Sequence, residues 1–246
     1  MVDRLFSEPA LAGLYDLFCA LEPRGDFSFY LPLVMSAEAV LDVGCGTGAL
    51  LHCAREAGHT GRLRGLDPAG VMLHEARTRT DIEWILGDLA SVEWDREFDL
   101  VVMSGHAFQV FVDDDDLRAS LAAIRSALTN DGRFAFETRN PLVRAWDRWT
   151  PDNAAEVVTA AGAVVRMAHQ VEPPVDGEIV SFTITFTSPS WDRPLVSRST
   201  LRFLDAESLS SFLSDAGLEI EDQFGDWDRQ PLTDTSPEIV TIARRR

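Results

Sequence analysis

The chain has 246 residues, 46% hydrophobic and 25% charged, with a formal net charge of −18. That size and apolar share suit one large packed domain, or one domain with an inserted layer. The acidity argues against nucleic acid as a partner, because the only basic cluster, Arg244-Arg245-Arg246, is terminal and reads as a solvated tail.

Residues 9–22 read as a helix, with Leu11, Leu14, Tyr15, Leu17, Phe18 and Leu21 at helical spacing and a stop at Pro23. Residues 26–37 are a shorter apolar segment containing Phe27, Phe29 and Tyr30, so 1–37 form a helical cap. Val40–Val43 is a first strand, 48–57 a helix ended by Gly58, and Arg62–Leu66 a second strand stopping at Asp67-Pro68. A helix over 69–79, a third strand at Glu83–Leu86 and a fourth, apolar strand at Phe98–Met103 follow. The acids Asp113–Asp116 suit the positive end of a helix over Leu117–Leu128 better than a metal site. Asn130-Asp131-Gly132 closes that helix, and Arg133–Thr138 is the fifth strand.

After about residue 150 the texture changes. Val164–Val171, Ile179–Thr187 and Val196–Phe203 predict a three-stranded antiparallel layer within 150–204. A helix over Asp205–Ala216, with Asp205 as N-cap and Gly217 after its end, precedes the last strands, Leu218–Phe224 and Glu238–Ala243. The alternation over 38–149 and 205–246 predicts an α/β, doubly wound, mostly parallel sheet. The antiparallel layer is inserted between strand five and the last helix and is expected to act as a lid.

Several absences narrow the function. No run of eighteen apolar residues exists, so no membrane partner is expected. The start Met1-Val2-Asp3-Arg4 does not read as a signal peptide, and Cys19, Cys45 and Cys53 are too few for a disulfide framework or a zinc site. These features predict a cytoplasmic protein with reduced thiols and no metal. The chain contains no lysine, which removes G-K-[ST] phosphate loops, Schiff-base cofactors and lysine-dependent dehydrogenases. No sequence feature sets an oligomeric state.

The richest segment is Val40-Leu41-Asp42-Val43-Gly44-Cys45-Gly46-Thr47-Gly48-Ala49. A strand meets a helix through a glycine turn that lets the backbone approach a ligand. Gly44, Gly46 and Ala49 satisfy the dinucleotide form G-x-G-x-x-G/A. Against that reading, Gly48 is not required by it, and Asp42 would repel a pyrophosphate while favouring a ligand with an ammonium and a sulfonium. The D-x-G-x-G-x-G core resembles motif I of the class I S-adenosylmethionine-dependent methyltransferases.

The resemblance implies a Rossmann-like, seven-stranded fold and S-adenosyl-L-methionine as cofactor, with S-adenosyl-L-homocysteine as product. Asp42, Gly44, Cys45, Gly46, Thr47 and Gly48 would form the cradle. Asp67, followed by Pro68, ends strand two about twenty residues past the turn, where an acid binds ribose hydroxyls in either family. Met72 would pack on the adenine or simply in the core. Asp88 would accept the adenine amino group, with Leu89 at the ring edge. The main chain at Ser104 would lie beside the methionine part, and His106 would face the transferring methyl as base or orienting group; a structural histidine is the plainer alternative.

Acceptor-lining candidates are Tyr15, Tyr30, Gln109, Arg139, Asn140 and Trp227, with Glu137, Trp146 and Trp149 nearby. Ordinary packing, or a salt bridge for Arg139, would explain each equally well. Ser104-Gly105-His106-Ala107 stands where many nucleic-acid amino methyltransferases carry N/D-P-P-[YF], which favours a small-molecule acceptor. The resemblance covers about 38–140 well and 205–245 in outline. The expected activity is methyl transfer to O or N of a small molecule. The alternatives are an NAD(P)-dependent oxidoreductase and a non-catalytic S-adenosylmethionine-binding protein.

Overall fold

The computed structural model describes residues 2–19 and 25–246. Met1, and the expected end of the first helix at Leu21 and Pro23, lie outside the described residues. The chain opens with α1 (Arg4–Ser7), α2 (Pro9–Cys19) and α3 (Gly25–Ser36). Then come β1 (Ala39–Val43), α4 (Ala49–Glu56), β2 (Arg62–Asp67), α5 (Gly70–Ala76), β3 (Glu83–Leu86), β4 (Phe98–Met103), α6 (Asp114–Ala127) and β5 (Leu128–Arg139). A second β-rich stretch, β6 (Ala155–Val158), β7 (Val164–Val171), β8 (Ile179–Thr187) and β9 (Leu195–Arg202), precedes α7 (Ala206–Asp215), β10 (Leu218–Phe224) and β11 (Glu238–Arg245).

The main sheet has seven strands in the order β10-β11-β5-β4-β1-β2-β3. Its β1 to β5 portion is parallel, and β11 runs antiparallel between β5 and β10. Strand order reverses at β1, flanked by β2 and β4, so the crevice past the carboxyl ends of these strands is where a ligand belongs.

Strand periodicity divides the core into two layers. Leu41, Val101, Phe134 and Phe136 face Leu121 and Ile124 of α6 and Leu209 and Leu213 of α7. Their neighbours Val40, Leu100, Val102 and Ala135 face Phe29, Tyr30 and Val34 of α3 and Leu50 and Leu51 of α4. Each large side chain so buried stabilises the fold by about 1.5–3 kcal/mol.

Three sequence expectations need correction. The helix expected from Leu117 begins at Asp114: Asp113 is its N-cap, accepting from Asp115 N at 2.8 Å and Asp116 N at 3.3 Å, so three of the acids lie inside its first turn. Asn130-Asp131-Gly132 does not close that helix but lies within β5, as an irregularity between the pairs Phe98–Leu128 and Leu100–Arg133. Gly132 permits this because a Cβ there would stand 2.9 Å from the Phe98 carbonyl oxygen. The antiparallel layer has four strands, the fourth being β6 at the edge. Its four residues bury only Val157, which leaves little alternation to read.

This second sheet packs its apolar side onto the N-terminal helices. Val157, Val165, Phe182, Ile184 and Phe186 meet Leu5, Leu11, Leu14 and Phe18. Leu5 N donates to Ser197 Oγ at 2.9 Å. Arg202 of β9 ion-pairs with Asp114 at 2.7 Å and with Glu178 at 3.0 Å, tying the sheet to the start of α6. Among the described residues no helix is long and apolar enough to cross a membrane.

Candidate active site at the ends of the parallel strands

The glycine turn leaves the end of β1 and is pinned to β2, where the Leu66 carbonyl accepts from Gly44 N at 2.8 Å and Cys45 N at 3.2 Å. Gly44 has φ +72°, and a Cβ there would stand 3.0 Å from the Ala107 Cβ, so the turn abuts the loop that follows β4. Gly48 has φ +78°, and its Cβ would lie 2.4 Å from the Trp84 ring. Asp42, at the end of β1, is buried. Burial, reinforced by the charges of Asp42 and Asp67, pushes the Cys45 thiol well above the ordinary range.

Asp67 braces the turn from β2. Its Oδ2 accepts from Gly46 N at 2.8 Å and its Oδ1 from Ala69 N at 2.7 Å. Burial pushes its carboxyl above the ordinary range, with the two backbone donors opposing. Thr47 Oγ1 donates to Asp16 Oδ1 at 3.0 Å, linking the turn to α2. Pro68 is exposed. Met72 is buried with Ala69 and Ala12, and Tyr15 packs beside them. After β3, exposed Asp88 caps a short 3₁₀ turn, its Oδ1 accepting from Ala90 N at 3.1 Å and Ser91 N at 2.9 Å. Leu89 is buried in the core, and Ser104 is half-buried at the end of β4.

The arrangement fits S-adenosylmethionine. Acids stand in order at the ends of β1, β2 and β3, and the turn between them is one a Cβ at Gly44 or Gly48 would crowd. Asp42 supplies negative charge for a cationic ligand, and Asp67 keeps carboxylate lone pairs beyond those bonded to the backbone.

A second cluster forms past β4. His106 has φ +62°, a left-handed conformation uncommon outside glycine. Its backbone N donates to Glu137 Oε1 at 2.7 Å, and its ring Nε2 lies 3.0 Å from Glu238 Oε2. Tyr30 donates its hydroxyl to the other oxygen, Oε2, of Glu137. Tyr30 and Glu137 are fully buried, and Glu238 is 7% exposed. Burial pushes the Glu137 carboxyl up, and the facing His106 and Tyr30 oppose that shift. Burial beside Glu137 raises the Tyr30 phenol well above its usual value, so it stays a donor. The Trp227 ring meets the His106 ring edge-on at 6.2 Å. Trp227 Nε1 is buried with no hydrogen-bond partner among the described residues.

The remaining acceptor candidates are more widely placed. Gln109 is buried, donating to the Arg202 carbonyl at 3.0 Å and accepting from Arg139 Nη1 at 2.9 Å. The Arg139 guanidinium lies 5.4 Å from the Trp149 ring centroid. Asn140 turns inward: its Nδ2 donates to the carbonyls of Ser236 at 2.9 Å and Thr233 at 3.3 Å, and its Oδ1 accepts from Leu142 N at 3.1 Å. Tyr15 meets Phe6 edge-on at 5.6 Å. So His106, Tyr30 and Trp227 converge, Gln109 and Arg139 form a separate pair under the second sheet, and Tyr15 stands on the Met72 side.

Sequence reasoning assigned no role to Glu238 and did not foresee the Tyr30–Glu137 bond. The signal available for Glu238 was a lone acid opening an apolar strand.

A family model described as a methyltransferase domain matches residues 40–132. Over 263 aligned residues the chain is 26% identical to a cypemycin N-terminal methyltransferase from a Streptomyces species, covering 98% of each chain. It is 25% identical over 197 residues to a dTDP-4-amino-2,3,4,6-tetradeoxy-D-glucose N,N-dimethyltransferase from Saccharopolyspora spinosa, covering 75% of this chain and 73% of that one. Among solved structures, the CcbJ methyltransferase from Streptomyces caelestis superposes with a TM-score of 0.78 at 19% identity, covering 98% of both chains. The fold is the Rossmann-like α/β fold shared by these structures. Residues 40–132 are a methyltransferase domain, the chain is an S-adenosylmethionine-dependent methyltransferase, and S-adenosylmethionine is its cofactor.

Proposed function

We propose that this enzyme methylates nitrogen or oxygen of a small-molecule acceptor, an amine fitting best, with His106 as the group that orients the acceptor or takes its proton. The observation that carries this reading is His106 with two buried carboxylates, Glu137 and Glu238, around it. Carboxyl oxygens at that depth favour an ammonium or a developing positive charge on nitrogen. The names of two relatives, an N-terminal methyltransferase and an amino-sugar N,N-dimethyltransferase, support an amine.

When bound, S-adenosylmethionine supplies a methyl group activated by its sulfonium. Asp42, the turn from Gly44 to Gly48, Asp67, Met72, Asp88 with Leu89, and the main chain at Ser104 would hold it. The chain's own contribution is alignment, worth on the order of 7 kcal/mol or more where geometry is favourable. Water exclusion by the second sheet and α1–α2, acting together as a lid, is the other. Trp227 and Tyr30 would wall the reacting end of the acceptor pocket, and Gln109 and Arg139 its far end.

Thermal shift with S-adenosylhomocysteine, S-adenosylmethionine and NAD(P)H tests the cofactor assignment; stabilisation by the nicotinamides alone would overturn it. Methyl-labelled S-adenosylmethionine offered with a library of amines and alcohols then tests turnover. Label should move to amines, and His106→Asn should abolish the transfer while S-adenosylhomocysteine still binds. Full turnover by that variant would remove His106 from the chemistry.

A further inference from the structure

We propose that Glu238 is a positioning residue that fixes His106 in the Nε2–H tautomer, so that Nδ1 is the ring nitrogen that takes the acceptor's proton. This rests on the reading of His106 as the base. The geometry is a Nε2 to Oε2 distance of 3.0 Å between two largely buried side chains. An ionised carboxylate only accepts hydrogen bonds, so the shared proton belongs to Nε2 and the basic lone pair to Nδ1.

Both partners are held from behind. The His106 backbone is clamped by Glu137 Oε1 at 2.7 Å. Glu238 opens β11, opposite Arg139 of β5, and its backbone N donates to the Gly225 carbonyl at 3.1 Å. The loop before it is fastened by Asn140, whose backbone N donates to the Pro237 carbonyl at 3.0 Å and whose amide bonds the Thr233 and Ser236 carbonyls at 3.3 and 2.9 Å. Asn140, expected from sequence to touch the acceptor, thus sits in the frame that sets Glu238. In the step itself the acceptor's N–H or O–H proton passes to Nδ1. The imidazolium so formed keeps its Nε2–H on the Glu238 carboxylate, whose charge balances it.

The test is a proton and nitrogen resonance spectrum of the full chain with isotope-labelled histidine and bound S-adenosylhomocysteine, with no acceptor needed. Expected is a low-field, exchange-protected proton on Nε2 of one histidine, with its Nδ1 unprotonated, and loss of that signal in His106→Asn. Glu238→Ala should lose the proton to exchange. Glu238→Gln, which keeps the size but not the charge, should move it upfield and serves if the alanine variant does not fold. A proton on Nδ1, no protected proton in the wild type, or a resonance unmoved by Glu238→Gln overturns the proposal. Turnover by His106→Asn is scored separately, so loss of the base role and loss of the tautomer assignment are distinguishable.

Discussion

The backbone N–H of His106 and the hydroxyl of Tyr30 reach opposite oxygens of one buried carboxylate, that of Glu137, the former at 2.7 Å. A loop residue past β4, a helix residue of α3 and a strand residue of β5 therefore share one anchor. Left-handed backbone at a non-glycine residue costs on the order of 1–3 kcal/mol and persists where the surroundings over-determine it; Glu137 does so for His106. Glu137→Leu would strand both donors, at about 1–3 kcal/mol each. Urea denaturation should show that loss, and Tyr30→Phe should show a smaller one.

Glu137 also predicts a pH dependence. Its folded pKa lies above its unfolded value, so the native state holds the proton more tightly. Its contribution to stability is fully present below the ordinary glutamate range and is lost as pH rises through the raised folded value. Glu137→Gln removes that loss. The stability of the variant relative to wild type should therefore increase as pH climbs from the ordinary glutamate range toward and past the raised value, measured by denaturation at a series of pH values. A flat difference would contradict the assignment.

Gly48 is the least replaceable position of the glycine turn. Its Cβ would lie 2.4 Å from Trp84, whose indole is fixed by its bond to the Arg79 carbonyl at 2.9 Å. Gly48→Ala should cost more than the roughly 1–3 kcal/mol of left-handed strain alone and should weaken S-adenosylhomocysteine binding. Gly58→Ala is the control, with φ +93° and open space around it. It should lower the melting temperature less and leave binding intact.

Asp67 offers two oxygens to two different backbone donors, Gly46 N and Ala69 N. Asparagine can accept only one of them and turns an N–H₂ toward the other. Asp67→Asn should loosen the turn and remove the carboxylate proposed to meet the ribose, weakening S-adenosylhomocysteine binding by about 1.5–3 kcal/mol. Titration calorimetry reads this directly, and unchanged affinity would exclude Asp67 from the site.

Where local pattern and burial agree, the sequence was sufficient. The strands from Val40 to Met103 carry apolar runs, and the punctuation at Gly44, Asp67 and Gly87 marks their ends, so the order of the sheet's parallel part follows with few choices. It was not sufficient where partners are distant. β6 is a short edge strand that exists because β7 lies beside it. The irregularity near Gly132 depends on the Phe98 carbonyl, more than thirty residues earlier.

The site divides along the same line. Asp42, the glycines, Asp67 and Asp88 lie within one segment, each at or just past a strand end the periodicity locates, so their order was legible before any contact between them was known. The environment of His106 is of another kind. Its partners Tyr30, Glu137 and Glu238 come from α3, β5 and β11 and meet only when antiparallel β11 closes on β5 and α3 lies over the sheet. No spacing in the chain encodes that meeting. It follows from strand register and burial, and burial is also what turns two ordinary glutamates into the groups that set the loop and the ring of one histidine.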